Sequence, residues 1–470
     1  MKSIFRNISY VVFSNLISFV SAAIVTFFAP KILGVKVYGY FQLYLLYTSY
    51  IGCLHFGWAD GILLRYGGKY YNELDKKSFS GQFRIYFSME ILIAALILVV
   101  SILGPFNFDR KIILGCTCIA LILGLPCTFL QYILQATNRM KNYALPLVIG
   151  RSFYIILACV TLLLHIDSYI FIISADLFGR FVTLTLTGIQ CRDVIFAKAA
   201  NLKSIFVEAK KNISAGSALV LASLTSTLII GIVQFAIENK WGIETFGKVS
   251  LTISVSNILM VFIRAVALGI FPMLRRTNAD KLVEIYENLR SFLMVILLGM
   301  LVIYLPVRTI LSYWIPQYAD SLKYMALLFP MCVFESKTSM LTETYIKTLR
   351  KEKWLLYVNI TTVLLGAILT AGAVYIAQNL DLAVITILAL LAFKGILSEI
   401  LLTNLLQINV NKDIIYEIFL TIIFVFSSWA VGGVLGIVMY GFAYAMYLFI
   451  KRENLKELKF SILKRFSGWF

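Results

Sequence analysis

The sequence predicts an all-α integral membrane protein with about 14 transmembrane helices, because its apolar stretches are as long as a membrane-crossing helix. The 470 residues are 60% hydrophobic and only 14% charged, whereas a soluble domain carries about 25% charged residues. The mean hydropathy is +0.87. A chain with so few charges cannot cover a full surface in water, so the lipid bilayer is its expected solvent.

The candidate spans follow one another with short connections. Each is about 18–27 residues long, which is the length that a helix needs to cross the hydrocarbon core. They begin near residues 8, 38, 83, 112, 143, 168, 212, 248, 290, 320, 354, 381, 413 and 433. The last two spans are short and meet at Gly432 and Gly433, so twelve spans followed by a hairpin is the alternative.

The pairing of an Asn-Ile-Ser tripeptide with a downstream Gly-x-x-x-aromatic-Gly motif, 32 or 35 residues from Asn to the final Gly, occurs twice. The first copies lie at Asn7–Ser9 and at Gly34, Tyr38 and Gly39, and the second copies at Asn212–Ser214 and at Gly242, Phe246 and Gly247. An even number of spans separates the copies, so both halves enter the membrane in the same direction. This predicts a parallel repeat of two six-helix lobes, an arrangement known from transporters that bind substrate where the two halves meet.

The repeat divides the chain into five segments. Residues 1–190 form an N-terminal six-helix lobe and residues 212–410 a C-terminal six-helix lobe, with a basic cytoplasmic linker at 191–211 between them. Residues 411–450 form an additional helix pair. The basic tail 451–470 has apolar residues at helical spacing, which predicts an interfacial helix on the inner leaflet. A solvated helix packed on the cytoplasmic loops is the alternative.

The net charge of +18 has an uneven distribution. Lys and Arg concentrate in alternate loops, for example Lys76, Arg192 and Arg290, as is typical of cytoplasmic loops. This pattern predicts that both termini are cytoplasmic, and it argues against nucleic acid as a partner. The seven cysteines are scattered and there are only two histidines, so neither a metal nor a cofactor is expected.

Charged residues within the predicted spans are the candidate site residues. A Lys or Arg at the bilayer centre costs about 2.5–3.5 kcal/mol on insertion scales and normally faces a cavity or a partner. Arg also binds phosphate oxygens in a bidentate manner. The candidates for binding an anionic headgroup are Arg264, Arg151, Arg180, Lys337 and Lys394. The candidates for gating or for ion pairs are Asp60, Arg65, Asp176 and Glu335.

The sequence surroundings of these residues differ. Arg264 and Arg151 have no acidic residue nearby in the sequence, which predicts unpaired cations. Asp176 and Arg180 are four residues apart and can pair on one helix face, with a purely structural ion pair as the alternative. Lys394 is expected either to face a lumen or to pair across helices.

Lys337 lies in the most polar span, close to Glu335. Pro330 precedes both residues and removes a backbone hydrogen bond, so a kink is expected there. An interrupted polar span of this kind indicates a gating or site element.

The N-terminal region resembles a known family of transporters. The relevant residues are Asn15, Ala29-Pro30-x-Ile-Leu-Gly34, Tyr38-Gly39-Tyr40-Phe41 and Phe56-Gly57-Trp-Ala-Asp60-Gly61-Ile-Leu-Leu-Arg65-Tyr-Gly-Gly68. This pattern is similar to the Wzx-type polysaccharide (O-antigen) flippases of the multidrug/oligosaccharidyl-lipid/polysaccharide exporter superfamily. Length, span number and duplication extend the resemblance over the whole chain, whereas the specific motifs lie within the first 70 residues or so.

The resemblance implies two six-helix lobes in a V, with a cavity lined by spans one, two, seven and eight. It implies alternating access that moves an undecaprenyl-pyrophosphate-linked oligosaccharide from the cytoplasmic to the outer leaflet of the bacterial inner membrane. The implied partners are this polyprenyl-pyrophosphate-linked glycan, membrane lipids, a polysaccharide polymerase and a chain-length regulator.

Two other functions compete with this interpretation. A multidrug or cation exporter of the same superfamily needs acidic residues in its lumen, whereas the unpaired intramembrane residues here are basic. A membrane-embedded polysaccharide polymerase or ligase would be an enzyme and needs a sizeable outer loop to hold an acceptor, whereas the predicted outer loops are short. The sequence therefore favours a non-enzymatic transporter of an anionic substrate.

Overall fold

The computed structural model describes the backbone of residues 2–275, 279–349 and 351–452, and within these ranges all side chains except those of residues 2–8, 11, 12, 259, 261–281 and 352. In the described ranges every regular element is a helix and there is no β-strand. The predicted all-α fold is thereby confirmed. The chain divides into two compact units. Unit 1 comprises Met1–Gly231 and Ile243–Gly247, and unit 2 comprises Ile232–Gly242 and Lys248–Phe470.

The helices that precede the linker all belong to unit 1. They are α1 (Lys2–Ile51), α2 (Trp58–Tyr66), α3 (Lys76–Leu103), α4 (Phe108–Ala136), α5 (Met140–Leu163), α6 (Tyr169–Gln190) and the short α7 (Arg192–Ile195). The next helix, α8 (Leu202–Arg275), contributes to both units.

The remaining helices belong to unit 2. They are α9 (Ala279–Met300), α10 (Tyr304–Trp314), α11 (Met325–Leu328), α12 (Met331–Lys337), α13 (Glu343–Thr348), α14 (Glu352–Ala371), α15 (Leu380–Leu406), α16 (Asn411–Phe426) and α17 (Gly433–Ile450). π-helical turns at Thr338–Thr342, Gly372–Ile376 and Ser427–Val431 interrupt this series.

Eleven segments of the described chain are long and apolar enough to cross a membrane. Two of them, Phe13–Ile51 with 39 residues and Leu202–Ile258 with 57 residues, are much longer than one crossing requires. Since a single crossing takes about 20 residues, each of these two accommodates two crossings. The polar stretch from α11 to α13 adds a broken crossing, and Pro330 lies at the expected break between α11 and α12. These segments agree with the predicted 14 spans.

The bends in the two long helices lie at the first glycines of the repeated motif. Gly34 has φ 69° and ψ 168°, and Gly242 has φ 79° and ψ 179°. This region of backbone conformation is open almost only to glycine. Both copies of the repeat therefore break the helix in the same way, and the sequence repeat corresponds to a structural one.

The interior of unit 1 is built around α4 and α5. The helix α5 packs against α1 and α6, while α2 and α3 pack against α4. Aromatic side chains such as Tyr38, Tyr86 and Phe129 are fully enclosed there. This arrangement places α1, α4, α5 and α6 around a common interior.

The interior of unit 2 includes the last two helices. The helix α15 packs against α12 and α14, and α16 packs against α17. The hydroxyl of Tyr440 on α17 donates to the carbonyl oxygen of Leu298 at 2.8 Å, and the hydroxyl of Tyr444 donates to that of Val295 at 2.7 Å. Two side-chain hydrogen bonds thus connect α17, the second helix of the C-terminal pair, to α9.

Candidate functional site: an arginine-lined cavity in unit 1

Asp176 on α6 is the centre of a buried ion cluster in unit 1. Its Oδ2 atom accepts hydrogen bonds from the Tyr44 hydroxyl at 2.8 Å and from Arg180 Nε at 2.7 Å. Arg151 Nη1 lies 3.4 Å from its Oδ1 atom. The Asp176–Arg180 pair that the i, i+4 spacing predicts is present in the structure.

Two glycines bring the arginine-bearing helices together. A Cβ atom on Gly150 of α5 would collide with the carbonyl oxygen of Gly179 of α6, and a Cβ atom on Gly179 would collide with that of Gly150. The helices therefore touch backbone to backbone, which is the close packing that small residues permit in membranes. Because Arg151 and Arg180 directly follow these glycines, the contact directs both guanidinium groups to one carboxylate.

The Asp176 cluster borders a cavity of about 230 Å³. Its walls come from α1, α4, α5 and α6 and include apolar residues such as Leu147 together with the ring of Tyr154. The polar residues that line it are Thr48, Thr128, Gln131, Arg151, Asp176, Arg180 and Thr183. The cavity thus combines an aromatic wall, hydroxyl and amide groups, and charges.

The charges around this cavity do not cancel. Two guanidinium groups face one carboxylate, which leaves an excess of one positive charge. The side chains of Arg151 and Arg180 remain 39% and 27% exposed, respectively. Among the described residues Arg180 donates a hydrogen bond only through Nε, so its two terminal nitrogens are available to a ligand. The site is suited to an anionic group.

A second group of buried charges lies in unit 2. Lys337 is 0% exposed, and its Nζ donates to Glu399 Oε2 and to Glu417 Oε2, each at 2.6 Å. Arg290 Nε donates to Glu399 Oε1 at 2.6 Å, and Arg290 Nη2 donates to Glu417. Lys337 and Arg290 therefore share the same two carboxylates.

The unit 2 cluster is electrically balanced once its periphery is included. Asp413 accepts from Arg290 Nη1 at 3.2 Å and also pairs with Lys451. The three cations Arg290, Lys337 and Lys451 thus match the three carboxylates. In this conformation Lys337 is completely enclosed, so a substrate could contact it only if the cluster opened.

Lys394 and Glu335 also belong to unit 2. Lys394 Nζ lies 3.6 Å from Glu335 Oε2 and 3.6 Å from Glu343 Oε1. Lys347 Nζ donates to Glu343 Oε2 at 3.1 Å. Of the two alternatives for Lys394, the structure shows pairing across helices.

Arg65 on α2 is anchored to the second copy of the repeated tripeptide. Its guanidinium donates to the side chain of Asn212 and, at 2.8 Å, to Glu208. The buried Asn212 in turn donates to Gln82 Oε1 at 2.8 Å, and Trp58 Nε1 donates to the same oxygen at 3.0 Å. Arg65 is therefore part of a polar network that joins α2 and α3 to the start of α8.

Asp60 lies one turn before Arg65 in partly buried surroundings. His55 Nε2 is 3.7 Å from Asp60 Oδ2. Arg264 lies on the backbone of α8, but its side chain is outside the described residues, as is the tail from residue 453 onwards.

Two sequence-based assignments are corrected by the structure. Arg151 is not remote from acidic residues, because Asp176 reaches it from the neighbouring helix. Arg290 is not a loop residue, because it lies on α9 and is fully buried. Both errors arise because spacing along the chain does not show which helices pack together.

Two residues of the clusters and one residue of the cavity wall were not among the candidates predicted from the sequence. Tyr44 and Gln131 are ordinary polar side chains in apolar spans, and Glu417 follows the basic Lys412 near the start of a span. A search for acids within spans could have found Glu417. No comparable pattern points to Gln131.

Within the described ranges, no three His, Cys, Asp or Glu residues form a group that could hold a metal ion.

No protein-family model matches the sequence, and no curated protein matches it. Solved structures do match. An inward-facing MATE-family multidrug resistance transporter of the MOP superfamily has a TM-score of 0.61 at 13% identity, over 82% of this chain and 92% of that chain. An outward-facing one has a TM-score of 0.58 at 14% identity, over 83% and 93%. The lipid II flippase MurJ in an inward closed conformation has a TM-score of 0.61 at 11% identity, over 96% and 100%.

These likenesses establish the fold. The chain is a multi-pass membrane protein with the fold of the MOP superfamily transporters. Membership of the superfamily that the N-terminal residues resemble, and the Wzx-type assignment within it, stay predictions.

Proposed function

We propose that this protein is a flippase that moves an undecaprenyl-pyrophosphate-linked oligosaccharide from the cytoplasmic to the outer leaflet by alternating access. The process served would be the biosynthesis of O-antigen, capsule or another surface polysaccharide. The single observation that carries the proposal is the excess positive charge of the unit 1 cavity, where Arg151 and Arg180 face one carboxylate, Asp176.

An uncompensated charge within a membrane span raises the free energy of the folded protein. We therefore expect such a charge where it contacts a substrate or an ion. Ionisable residues within membrane spans mark substrate or ion pathways. In the described part of unit 2, the cations Arg290 and Lys337 are matched by carboxylates. The cavity in unit 1 differs because its charges do not cancel, and this favours an anionic substrate over a cationic one.

The extent of the structural likeness supports a flippase. The MurJ structure covers 96% of this chain, whereas the two MATE structures cover 82% and 83%. A match over 96% of the chain is long enough to include the C-terminal helix pair α16 and α17. MurJ is described as a lipid II flippase, and by analogy we infer a lipid-linked glycan as the substrate here.

The remaining candidate residues have proposed roles in this cycle. Arg264, Lys337 and Lys394 are further candidates for contact with the anionic part of the substrate, the two lysines only in a conformation in which their ion pairs have opened. Asp60, Arg65, Asp176 and Glu335 are candidates for gating pairs. The proposed setting is the bacterial inner membrane with both termini cytoplasmic, together with a polysaccharide polymerase and a chain-length regulator.

The proposal is tested by deleting the gene in its own host and restoring it as variants. We expect deletion to abolish surface polysaccharide and to cause lipid-linked glycan to accumulate in the membrane. Wild-type protein should restore export, and the double substitution Arg151→Ala with Arg180→Ala should not, at equal protein level. Arg84→Ala is the matched control, because this exposed arginine of unit 1 does not line the cavity, and in the described part of the chain its guanidinium donates to the carbonyl oxygen of Ala197.

Multidrug export is the second candidate function. The TM-score of 0.61 to a MATE transporter and the partly buried carboxylate of Asp60 favour it, because cation exporters use acidic residues to bind their substrates. The deletion experiment separates the two functions. Unchanged surface polysaccharide together with a new sensitivity to lipophilic cations would contradict the flippase and establish the exporter.

A further inference from the structure

The unit 1 cavity offers hydrogen-bond donors that lack partners. Gln131 lines the cavity, and its buried Nε2 has no hydrogen-bond partner among the described residues. The terminal nitrogens of Arg180 are likewise not engaged within the described part of the chain. The guanidinium group of Arg180 can thus donate to ligand oxygens, and the amide of Gln131 belongs to the same cavity wall.

The same cavity also offers acceptors. The hydroxyls of Thr48, Thr128 and Thr183 donate their hydrogens to carbonyl oxygens of their own helices, at 3.0, 3.0 and 2.8 Å. A hydroxyl that donates in this way still has lone pairs that accept. The carboxylate of Asp176 is a further acceptor. A ligand that fills the cavity must therefore both donate and accept hydrogen bonds.

This requirement separates two kinds of anion. An ionised pyrophosphate group accepts hydrogen bonds but cannot donate them. Its oxygens would therefore be repelled by the lone pairs of the threonine hydroxyls and by the Asp176 carboxylate. A sugar ring donates through its hydroxyls and accepts through its oxygens, and a carboxylate on that ring satisfies the excess positive charge. The ring of Tyr154 supplies an aromatic wall.

The size of the cavity agrees with a single ring. Pockets for drug-sized ligands measure about 300–1,000 Å³, and this cavity measures about 230 Å³. A cavity of this size has room for one monosaccharide residue of a longer glycan.

We infer that the cavity between α1, α4, α5 and α6 binds one acidic sugar residue of the transported glycan, such as a hexuronic acid, with Arg180 and Arg151 on its carboxylate and with Gln131 and the threonines on its ring oxygens and hydroxyls. This inference rests on the proposed function and deepens it, because it names the chemical class of sugar that the transporter selects.

The test uses the full-length protein in lipid nanodiscs and three soluble probes: a methyl hexuronoside, the corresponding neutral methyl hexoside and inorganic pyrophosphate. Binding is measured by saturation-transfer NMR titration. We expect the uronoside to bind about tenfold more tightly than the neutral hexoside, as one charge-assisted hydrogen-bonded contact permits. Pyrophosphate should not displace the uronoside at equal concentration.

Substitutions assign the binding to this cavity. Arg180→Ala should weaken uronoside binding about tenfold and leave binding of the neutral hexoside unchanged within about twofold, because only the carboxylate contact is lost. Gln131→Ala should weaken both sugars, and the control Arg84→Ala should weaken neither. Arg180→Lys keeps the charge and should bind the uronoside better than Arg180→Ala, which distinguishes a ligand contact from a folding defect.

Three results would overturn the inference. They are equal binding of the neutral hexoside, displacement of the uronoside by pyrophosphate, and no uronoside binding by the wild-type protein. None of them would alter the polysaccharide-export result of the gene deletion, so failure of this inference is distinguishable from failure of the proposed function.

Discussion

Gly39 and Gly247, the final glycines of the two copies of the repeated motif, pack against each other inside unit 1. A Cβ atom on Gly247 would lie 2.8 Å from the Cα atom of Gly39, which is too close for any side chain. The two copies of the repeat thus meet at the position where both have glycine. Close backbone contact of this kind is how small residues stabilise helix pairs in membranes.

The first prediction concerns this contact. Gly39→Ala would drive a methyl group into the carbonyl oxygen of Ile243, and overpacking of this kind costs about 1–3 kcal/mol. We expect a lower thermal unfolding temperature in detergent. The control is Gly115→Ala on α4, where a Cβ meets no atom within 4 Å. An equal loss of stability in both variants would contradict the packing role of Gly39.

The second prediction concerns the two helix breaks. Gly34→Ala and Gly242→Ala should each destabilise the protein by about 1–3 kcal/mol, because their backbone conformation is strained for any other residue. Space is not the reason, since no atom lies within 4 Å of an added Cβ at either position. The control is Gly372→Ala, which has equal space but an ordinary helical φ of −61°.

Thermal unfolding of the three variants checks this prediction. Gly372→Ala should be neutral or stabilising. If Gly34→Ala and Gly242→Ala behaved like Gly372→Ala, the shared backbone break would not contribute to stability.

The third prediction concerns the buried charges of unit 2. Lys337→Met leaves Glu399 and Glu417 with one buried cation, Arg290, and an uncompensated buried charge costs about 3–5 kcal/mol. Lys347→Met is the control, because its pair with Glu343 is 43% exposed on the lysine side, and exposed pairs contribute about 0–1 kcal/mol. Thermal unfolding measures both.

A second substitution tests the cause. Adding Glu417→Gln to Lys337→Met removes the excess negative charge and should recover part of the lost stability. If the double variant were less stable than Lys337→Met, charge balance would not be the reason for the destabilisation.

The fourth prediction concerns pH and the start of the linker. Asp193 on α7 accepts from the Tyr71 hydroxyl at 2.7 Å and pairs with Lys76 at 2.7 Å. Partial burial raises the pKa of the Asp193 carboxyl, but the hydrogen bonds from Lys76 and Tyr71 outweigh burial and hold this pKa below its ordinary value. The stabilisation is therefore present above the unfolded-state pKa of about 3.9, and it is lost as the pH falls through the folded-state pKa.

We expect Asp193→Asn to unfold at a lower temperature than the wild type at pH 7, by an amount corresponding to about 1 kcal/mol or less for so exposed a pair. The difference should shrink when the pH is lowered through the acidic range. Asp167→Asn, at an exposed loop position, should match the wild type throughout. A difference between Asp193→Asn and wild type that does not change with pH would contradict the assignment.

Much of the architecture follows from local patterns in the sequence. Apolar stretches of membrane-crossing length predict the helices because hydrocarbon allows no unpaired backbone groups, so each span must satisfy its own hydrogen bonds. The repeated glycine motif gives the two helix breaks, since only glycine adopts that backbone conformation readily. The Asp176–Arg180 pair is equally local, because residues four apart share one helix face.

Only the tertiary structure determines which charges meet across helices. Arg151 on α5 forms an ion pair with Asp176 on α6. Lys337 on α12 forms ion pairs with Glu399 on α15 and Glu417 on α16. These partners depend on which helices are neighbours and on how each is rotated about its axis, and neither property is contained in the spacing of residues along one helix. The cavity beside Arg180 has the same origin, because it is formed by four helices that are separate in the sequence.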